Sequence, residues 1–135
     1  AVAPGRATAP LPYLLGAAVC FWIAGADILY TCEDFEFDRR KRLHSVPAKV
    51  GIRAALGISI ANHVVAVAAL AAAGVYGGLG GWYYAGVALI AVLLVYEHAI
   101  VKPDDLRRVN QAFFHVNAVV SAVILAVGLL DVLSR

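Results

Sequence analysis

Charged residues are scarce in this chain. Only 15% of its 135 residues are charged, whereas 62% are hydrophobic, and the mean hydropathy is +0.81. Soluble domains use apolar residues for about half of their length, so this composition excludes an ordinary soluble domain. Lipid is therefore the expected solvent.

Methionine is absent altogether, and the chain opens on Ala1. We therefore expect it to be part of a longer translation product. Residues 1–12 contain three prolines but no basic segment followed by an apolar one. This pattern is not typical of a signal peptide, and we expect a loop between helices.

Cysteine is nearly absent as well. Cys20 and Cys32 lie on one predicted helix, separated by about 18 Å at roughly 1.5 Å per residue, which excludes a disulfide between them. Their spacing fits no metal site either. Both are therefore interpreted as core or lipid-facing residues.

The apolar residues that dominate the chain fall into four blocks. Each is close to the roughly 20 residues that a helix needs to cross a bilayer, and none shows the two-residue alternation of a barrel strand. Helices are favoured because unpaired backbone groups are costly in hydrocarbon. The sequence predicts an all-α integral membrane bundle with four transmembrane helices, at about Leu11–Cys32, Ala54–Ala73, Trp82–Val101 and Ala112–Leu130.

Positive charge is concentrated in the first and third connecting loops. The second loop, Gly74–Gly81, is rich in glycine and has no charged residue. Because basic residues are retained in the cytoplasm, we expect loops one and three to face the cytoplasm in a multi-pass protein of the cell (inner, cytoplasmic) membrane. The basic residues are Arg39, Arg40, Lys41, Arg42, Lys49 and Arg53 in the first loop, and Lys102, Arg107 and Arg108 in the third.

Acidic residues cluster at the end of the first predicted helix. At about 100° per residue, one face of a continuous helix carries Asp27, Tyr30, Asp34 and Asp38. An aspartate inside an apolar block costs about 2.5–3.5 kcal/mol on insertion scales. Asp27 is therefore expected to face a polar cavity, and an ion pair with a basic residue of a neighbouring helix is the alternative.

Asp34 and Asp38 are candidate ligands for Mg²⁺. They are one helical turn apart, and Mg²⁺ prefers carboxylate oxygens together with waters and substrate phosphates. Arg39, Arg42 and Lys49 are candidate diphosphate-binding residues through charge-assisted hydrogen bonds. Retention of positive charge in the cytoplasm explains the same basic residues without a ligand, so both interpretations stay open.

The acidic run is part of a longer pattern. The motif Asp27-x-x-Tyr30-x-x-x-Asp34-x-x-x-Asp38 is followed by Leu43-His44-Ser45-Val46-Pro47-Ala48 and Gly51, and later by Tyr96-Glu97-His98 and Lys102-Pro103-Asp104-Asp105-Leu106-x-x-Val109-Asn110. These segments resemble the UbiA superfamily, particularly its 4-hydroxybenzoate polyprenyltransferase-like members, and the first resembles the family's second aspartate motif. The resemblance covers essentially the whole chain. It implies that residues 1–135 are the C-terminal half of a single membrane prenyltransferase domain with a nine-helix fold.

The resemblance also implies the chemistry of the site. Asp34 and Asp38 would bind a polyprenyl diphosphate through Mg²⁺, with Asp27 and Tyr30 lining the pocket. The implied reaction transfers the polyprenyl group to an aromatic acid such as 4-hydroxybenzoate, in ubiquinone or menaquinone biosynthesis. The family's first, asparagine- and aspartate-rich motif is absent. The N-terminal half of the same protein is therefore an expected partner, the fragment alone is expected to be inactive, and nucleic acid is not an expected partner.

Two other functions compete with this one. Half of a membrane transporter or channel would use Asp27, Asn62 and His63 to line an ion path. A noncatalytic membrane interaction module would need only small residues that let helices pack closely. Neither alternative explains two further carboxylates at the cytoplasmic end of the helix.

The remaining polar residues of the helices have local interpretations. Interhelical hydrogen bonds or pocket positions are expected for Asn62, His63, His115 and Asn117. Glu97 and His98 are expected to pair with loop arginines. Asp104 and Asp105 are expected to cap the start of the following helix.

We expect the coding region immediately upstream of Ala1 to encode further transmembrane helices and an asparagine- and aspartate-rich motif on the cytoplasmic side. The reason is that half of the implied metal-binding residues are otherwise missing. Sequencing that region is the measurement. A start codon directly before Ala1, with nothing further upstream, would contradict the expectation and favour a noncatalytic protein.

Overall fold

The structure, a computed structural model, describes residues 10–133. Most of the expected N-terminal loop lies outside the described residues. The rest of the chain forms helices joined by short connections. Their bounds are α1 Pro10–Thr31, α2 Phe35–Lys41, α3 Val46–Val50, α4 Ile52–Gly77, α5 Gly81–Ile100, α6 Val109–Gln111, a π-helical segment Ala112–Val116 and α7 Asn117–Leu133.

Four helical stretches are long and apolar enough to cross a membrane. The described residues contain no strand beyond one isolated backbone bridge between Lys102 and Asp105. The prediction of an all-α membrane bundle with four transmembrane helices is therefore confirmed, and the chain is a multi-pass membrane protein. The four stretches are Pro10–Thr31, Ile52–Gly77, Gly81–Ile100 and Val109–Leu130.

The outer surface of the bundle is apolar. Large aliphatic side chains are exposed along every long helix, and Val75 and Val95 expose 71% and 70% of their surface. Soluble proteins rarely expose contiguous apolar surface on this scale. Contact with lipid accounts for it, because hydrocarbon imposes no penalty on apolar side chains.

The interior has two apolar clusters with a polar layer between them. One cluster includes Leu70, Ile90 and Val120. The other includes Leu29, Leu56 and Val109. Between the two clusters along α4 and α5 come the buried polar residues Ser59, His63 and Glu97.

Helices α1 and α4 make the most extensive contact in the bundle. The Ser59 hydroxyl of α4 donates a hydrogen bond to the Gly25 carbonyl of α1 at 2.6 Å. Gly25 has no side chain, and a methyl group there would overlap the His63 ring. Small residues let transmembrane backbones approach closely, so Gly25 sets the distance between the two helices.

The first loop is itself mostly helical. Residues 32–34 form a turn between α1 and α2, and Arg42 ends α2 with a left-handed backbone, φ 56°. The Ser45 hydroxyl caps α3 by accepting a backbone N–H of its first turn at 3.3 Å. Gly51, with φ 84°, lets the chain pass directly from α3 into α4 because glycine tolerates positive φ.

Gly25→Ala should destabilise the protein by about 1–3 kcal/mol, because an extra methyl group in a packed contact forces neighbouring atoms to move. Gly16→Ala is the matched control in the same helix, since a Cβ there would meet nothing within 4 Å. The control should be neutral or slightly stabilising, because alanine favours helix. Denaturant unfolding in mixed micelles would measure both, and equal stability of the two variants would contradict the packing role of Gly25.

Candidate functional site

The acidic run is divided between two helices. The expectation of one continuous helix through this run is wrong, because α1 ends at Thr31 and α2 begins at Phe35. Asp34 has φ −89° and ψ 8° and occupies the N-cap position of α2, a position that aspartate favours. Asp27 and Tyr30 therefore belong to one helix, and the later aspartates to the next.

Asp34 and Asp38 remain one helical turn apart. The Asp38 backbone N–H donates to the Asp34 carbonyl at 2.8 Å. Asp34 is exposed, whereas Asp38 exposes only 8% of its surface. Neither carboxylate forms a side-chain hydrogen bond or an ion pair within residues 10–133. Both carboxylates are therefore free to accept a cation without giving up a partner among the described residues.

Asp27 lies on the exposed surface of the described bundle. The alternative ion pair between Asp27 and a basic residue of a neighbouring helix is not formed among the residues described. Its carboxylate therefore lies on a face of α1 that α4 does not cover. Whether that face borders a polar cavity, as the cost of burying an aspartate in lipid predicts, stays a prediction.

Tyr30 belongs to an aromatic cluster that sequence reasoning missed. Its ring centroid lies 4.7 Å from that of Phe113 and 6.2 Å from that of Phe114. Both phenylalanines belong to the π-helical segment at the start of the last membrane-spanning stretch, and such segments are frequent at functional sites. The sequence feature that could have indicated this cluster is the adjacent pair Phe113 and Phe114 after the third loop.

The three candidate diphosphate-binding residues are exposed at the same loop. Arg39 places its guanidinium 5.4 Å from the centre of the Phe35 ring in its own helix. Arg42 ends α2, and Lys49 lies in the last turn of α3. In the described part of the chain none of the three forms an ion pair with an acidic residue. Their positive charge is therefore not neutralised by the neighbouring aspartates.

The expectation that Asp104 and Asp105 cap the helix after the third loop is wrong. Arg108, not an aspartate, occupies the N-cap position of α6. The Asp105 carboxylate accepts hydrogen bonds from Arg107 Nε at 2.9 Å and Nη2 at 2.8 Å, which hold the pKa of Asp105 well below its usual range. It also accepts the Arg107 backbone N–H at 3.2 Å. This local bond two residues ahead competes with helix capping.

Two contacts connect the first and third loops. The Asn110 side-chain amide donates to the Glu33 carboxylate at 2.8 Å. The Arg53 guanidinium lies 3.9 Å from the Asp104 carboxylate, with both side chains largely exposed, so this pair adds little stability. The two loops therefore lie at the same end of the bundle, as the charge pattern predicts.

Several polar residues of the membrane-spanning helices form bonds between helices. The Trp22 indole N–H donates to the Asn117 side-chain oxygen at 2.8 Å, and His63 Nε2 lies 3.2 Å from the Trp22 carbonyl. The prediction of interhelical hydrogen bonds is confirmed for Asn117 and His63. It is wrong for Asn62 and His115, which bond to carbonyls of their own helical turns.

The expected pairing of Glu97 and His98 with loop arginines is also wrong. Both lie beside His63 instead, at 3.5 Å and 2.9 Å from its Nδ1 atom. The position of Glu97 along α5 places it on the face that packs against α4, where it is fully buried.

The fold and the site define a class: a multi-pass helical membrane protein in which Asp34, Asp38 and the basic side chains of the same loop lie at one end of the helices and form no ion pairs with each other within the described residues. Comparison with known proteins narrows the class. The chain belongs to the UbiA prenyltransferase family, which matches residues 1–119.

Similar curated proteins are named 4-hydroxybenzoate octaprenyltransferase. The chain is 29% identical to that of Nitrosomonas europaea over 126 residues, 30% identical to that of Nitrosospira multiformis over 131 residues, and 27% identical to that of Aromatoleum aromaticum over 107 residues. These matches cover 93%, 97% and 79% of this chain but 42%, 44% and 36% of the relatives. The chain thus spans less than half the length of the curated relatives it matches. No solved structure gives a significant match.

Cys32 should resist thiol reagents in the folded protein. It is completely buried, its Sγ lies 3.3 Å from the Ile28 carbonyl, and burial raises the pKa of its thiol to about 11. Because the thiolate is the reactive form, alkylation at neutral pH should be slow before unfolding and fast after it. Mass spectrometry of iodoacetamide-treated protein carrying Cys20→Ser would measure this, and equal rates in both states would contradict the burial of Cys32.

Proposed function

We propose that residues 1–135 are the C-terminal half of a single membrane prenyltransferase domain. The complete enzyme transfers a polyprenyl group from an allylic diphosphate to an aromatic acid such as 4-hydroxybenzoate, in quinone biosynthesis. Family membership and the names of the relatives support this proposal. The structural observation that carries it is the pair Asp34 and Asp38, one turn apart and without partners in the described residues.

Asp34 and Asp38 suit a magnesium ion. Mg²⁺ is usually held by one or two carboxylates, with waters and substrate phosphates completing its shell. Asp38 is a mostly buried residue and Asp34 an exposed one, and neither carboxylate has a partner of its own in the described residues. In this proposal the remaining ligands come from water, the diphosphate and the other half of the protein. When bound, the ion supplies positive charge that stabilises the departing diphosphate.

The basic residues of the same loop complete the diphosphate site. In this proposal Arg39, Arg42 and Lys49 donate charge-assisted hydrogen bonds to the phosphate oxygens. Their lack of ion pairs within residues 10–133 supports this role, because they need not release an acidic partner first. The charge that develops on the leaving group is then stabilised by donors already in place.

Asp27 and Tyr30 line the pocket beyond the diphosphate. The face of an aromatic ring attracts a cation, so Tyr30, packed against Phe113, stabilises the allylic cation formed as the C–O bond breaks. The surrounding helices exclude water, which would otherwise trap that cation. Attack by the aromatic acceptor and loss of its ring proton complete the transfer.

The site opens toward the cytoplasm in this proposal. The basic residues of loops one and three lie at one end of the bundle, and such residues are retained on the cytoplasmic side. The aromatic acid therefore reaches the site from the cytoplasm, where the charged diphosphate head group of the prenyl substrate also lies, while its prenyl chain extends into the membrane. In this proposal the protein is a multi-pass protein of the cytoplasmic membrane.

The ion-path alternative gains no support from the contacts of its residues. The Asn62 side chain bonds to the Ile58 carbonyl of its own helix at 2.8 Å. His63 is buried against α1 and α5, whereas Asp27 lies on the exposed face of α1. The three residues therefore do not line one route.

Asp34→Ala and Asp38→Ala should each lower Mg²⁺-dependent prenyl transfer by at least about a hundredfold, because loss of one preorganised electrostatic contact already costs that much. Glu36→Ala is the matched control, since it removes a carboxylate from the same helix but outside the proposed ligand pair. The assay uses the full-length protein in membranes, with a prenyl diphosphate and 4-hydroxybenzoate, with and without Mg²⁺. Wild-type turnover in either aspartate variant would remove this mechanism from consideration.

A further inference from the structure

A buried polar cluster between α4 and α5 has no role in the proposed transfer. It consists of His63 on α4 and the neighbouring residues Glu97 and His98 on α5, and one ligand atom from each lies within 4.8 Å of the other two. His63 exposes 3% of its surface and Glu97 none. Two of the four histidines of the chain thus meet a carboxylate inside the bundle.

The hydrogen bonds of His63 define which ring nitrogen carries its proton. Nε2 lies 3.2 Å from the Trp22 carbonyl, which can only accept, so Nε2 carries the hydrogen. In the neutral ring Nδ1 then has a free electron pair. Nδ1 lies 2.9 Å from His98 Nε2, which must therefore donate to it.

Glu97 completes the cluster without a hydrogen bond of its own. Neither carboxylate oxygen has a partner within the described residues. Glu97 Oε2 lies 3.5 Å from His63 Nδ1, an atom that has no hydrogen to give in this arrangement. The Glu97 oxygens and His63 Nδ1 therefore point electron pairs into one buried space, and the only proton shared there is the one on His98 Nε2. This arrangement is unfavourable unless a cation or a further hydrogen-bond donor is present.

We propose that His63 Nδ1, His98 Nε2 and the Glu97 carboxylate bind a divalent transition metal ion of the zinc type. Two histidines and one glutamate are an established zinc ligand set, which leaves a fourth position open. With metal–ligand distances of about 2.0–2.2 Å, neighbouring ligand atoms of a tetrahedral site are about 3.3 Å apart. The separations from His63 to His98 and to Glu97 are 2.9 and 3.5 Å, on either side of that value. The Glu97 and His98 ligand atoms lie within 4.8 Å of each other, so side-chain rotation brings the three atoms to the spacing that the ion requires.

The ligand chemistry separates this site from the magnesium site. Imidazole nitrogen suits zinc and its neighbours in the transition series, whereas magnesium prefers oxygen alone. The proposed ion takes the place of the proton between the two rings, that proton moves to His98 Nδ1 as the neutral ring changes tautomer, and the ion neutralises the Glu97 carboxylate. It connects α4 to α5, and the inference does not depend on the proposed prenyl transfer.

The surroundings of His63 hold it in position for this role. The Trp22 carbonyl fixes its tautomer, as carbonyls commonly do for metal-ligating histidines, and the Trp22 indole is bonded in turn to Asn117 on α7. Gly25 provides the space that the ring occupies. Two other helices, α1 and α7, therefore orient the ligand before a metal binds.

The open coordination position is accessible from one side of the bundle. His63 and His98 lie at a groove of about 370 Å³ that is otherwise apolar. Its volume is several times the roughly 30 Å³ of one water molecule, so the groove has room for a small oxygen donor as the fourth ligand. The other lining residues are Ile60, Val64, Val67, Ala91, Leu94 and Val95.

The test is titration of the full-length, tag-free protein with Co²⁺ in detergent, with excess Mg²⁺ present to fill carboxylate sites. Co²⁺ with nitrogen ligands in a four-coordinate site absorbs visible light far more strongly than Co²⁺ bound by oxygens in a six-coordinate one. We expect a saturable visible band that Zn²⁺ abolishes, and a Tm that rises with Zn²⁺. Glu97→Gln and His98→Gln should weaken Co²⁺ binding by at least about tenfold, since even loss of an outer-shell partner costs this much.

His115→Gln is the matched control, because it makes the same substitution at an exposed histidine outside the cluster, and it should bind Co²⁺ as the wild type does. Glu97→Gln keeps the side-chain shape and removes an unpaired acid, so the metal-free variant should be at least as stable as wild type. If it fails to fold, His98→Gln provides the same comparison at a less buried position. A wild-type protein without the band or the Zn²⁺-dependent rise in Tm, or a Glu97→Gln variant with undiminished Co²⁺ affinity, would overturn the proposal. Because the readout is metal binding, failure here leaves the prenyl transfer assay unaffected.

Discussion

The close contact of α1 with α4 at Gly25 is the constraint on which the rest of the structure depends. Polar backbone and side-chain groups inside a bilayer need partners within the protein, because hydrocarbon offers none. Ser59 bonds to the Gly25 carbonyl and His63 to the Trp22 carbonyl, and both bonds require the absence of a side chain at Gly25. This contact fixes where α1 ends relative to α4, and with it the position of the turn that leads to Asp34.

Polar residues are arranged by depth. Deep in the bundle they bond across helices, as Trp22 does with Asn117. At the end where the first and third loops meet, Asp34, Asp38 and the neighbouring basic side chains form no pairs with each other within residues 10–133. Opposite charges that stay apart on one surface are able to bind a metal ion and a phosphate at the same time, whereas charges that pair internally are not.

Glu97 is the exception to the rule that buried polar groups find partners. It is fully buried within the described residues and neither of its oxygens is bonded there. His63 cannot relieve it, because the proton of that ring is donated to α1. The helix contact that stabilises the fold therefore also determines which nitrogen of His63 is left free for a ligand.

The distribution of apolar residues along the sequence determined that this chain is an all-α membrane protein with four spanning helices, because hydropathy over a stretch of about 20 residues decides membrane insertion. The motif around Asp34 and Asp38, together with the later segments Leu43–Ala48, Tyr96–His98 and Lys102–Asn110, was enough to suggest the family. Tertiary structure decided the rest. Three contacts depend on how helices distant in sequence are placed. They are the packing of Tyr30 against Phe113, the contact of His63 with Glu97, and the hydrogen bond between Trp22 and Asn117, which are 95 residues apart in sequence. Helical periodicity describes only one helix at a time. It therefore predicted one continuous acidic stripe, although Asp34 begins a new helix. For the same reason it could not show which buried residues of different helices face each other.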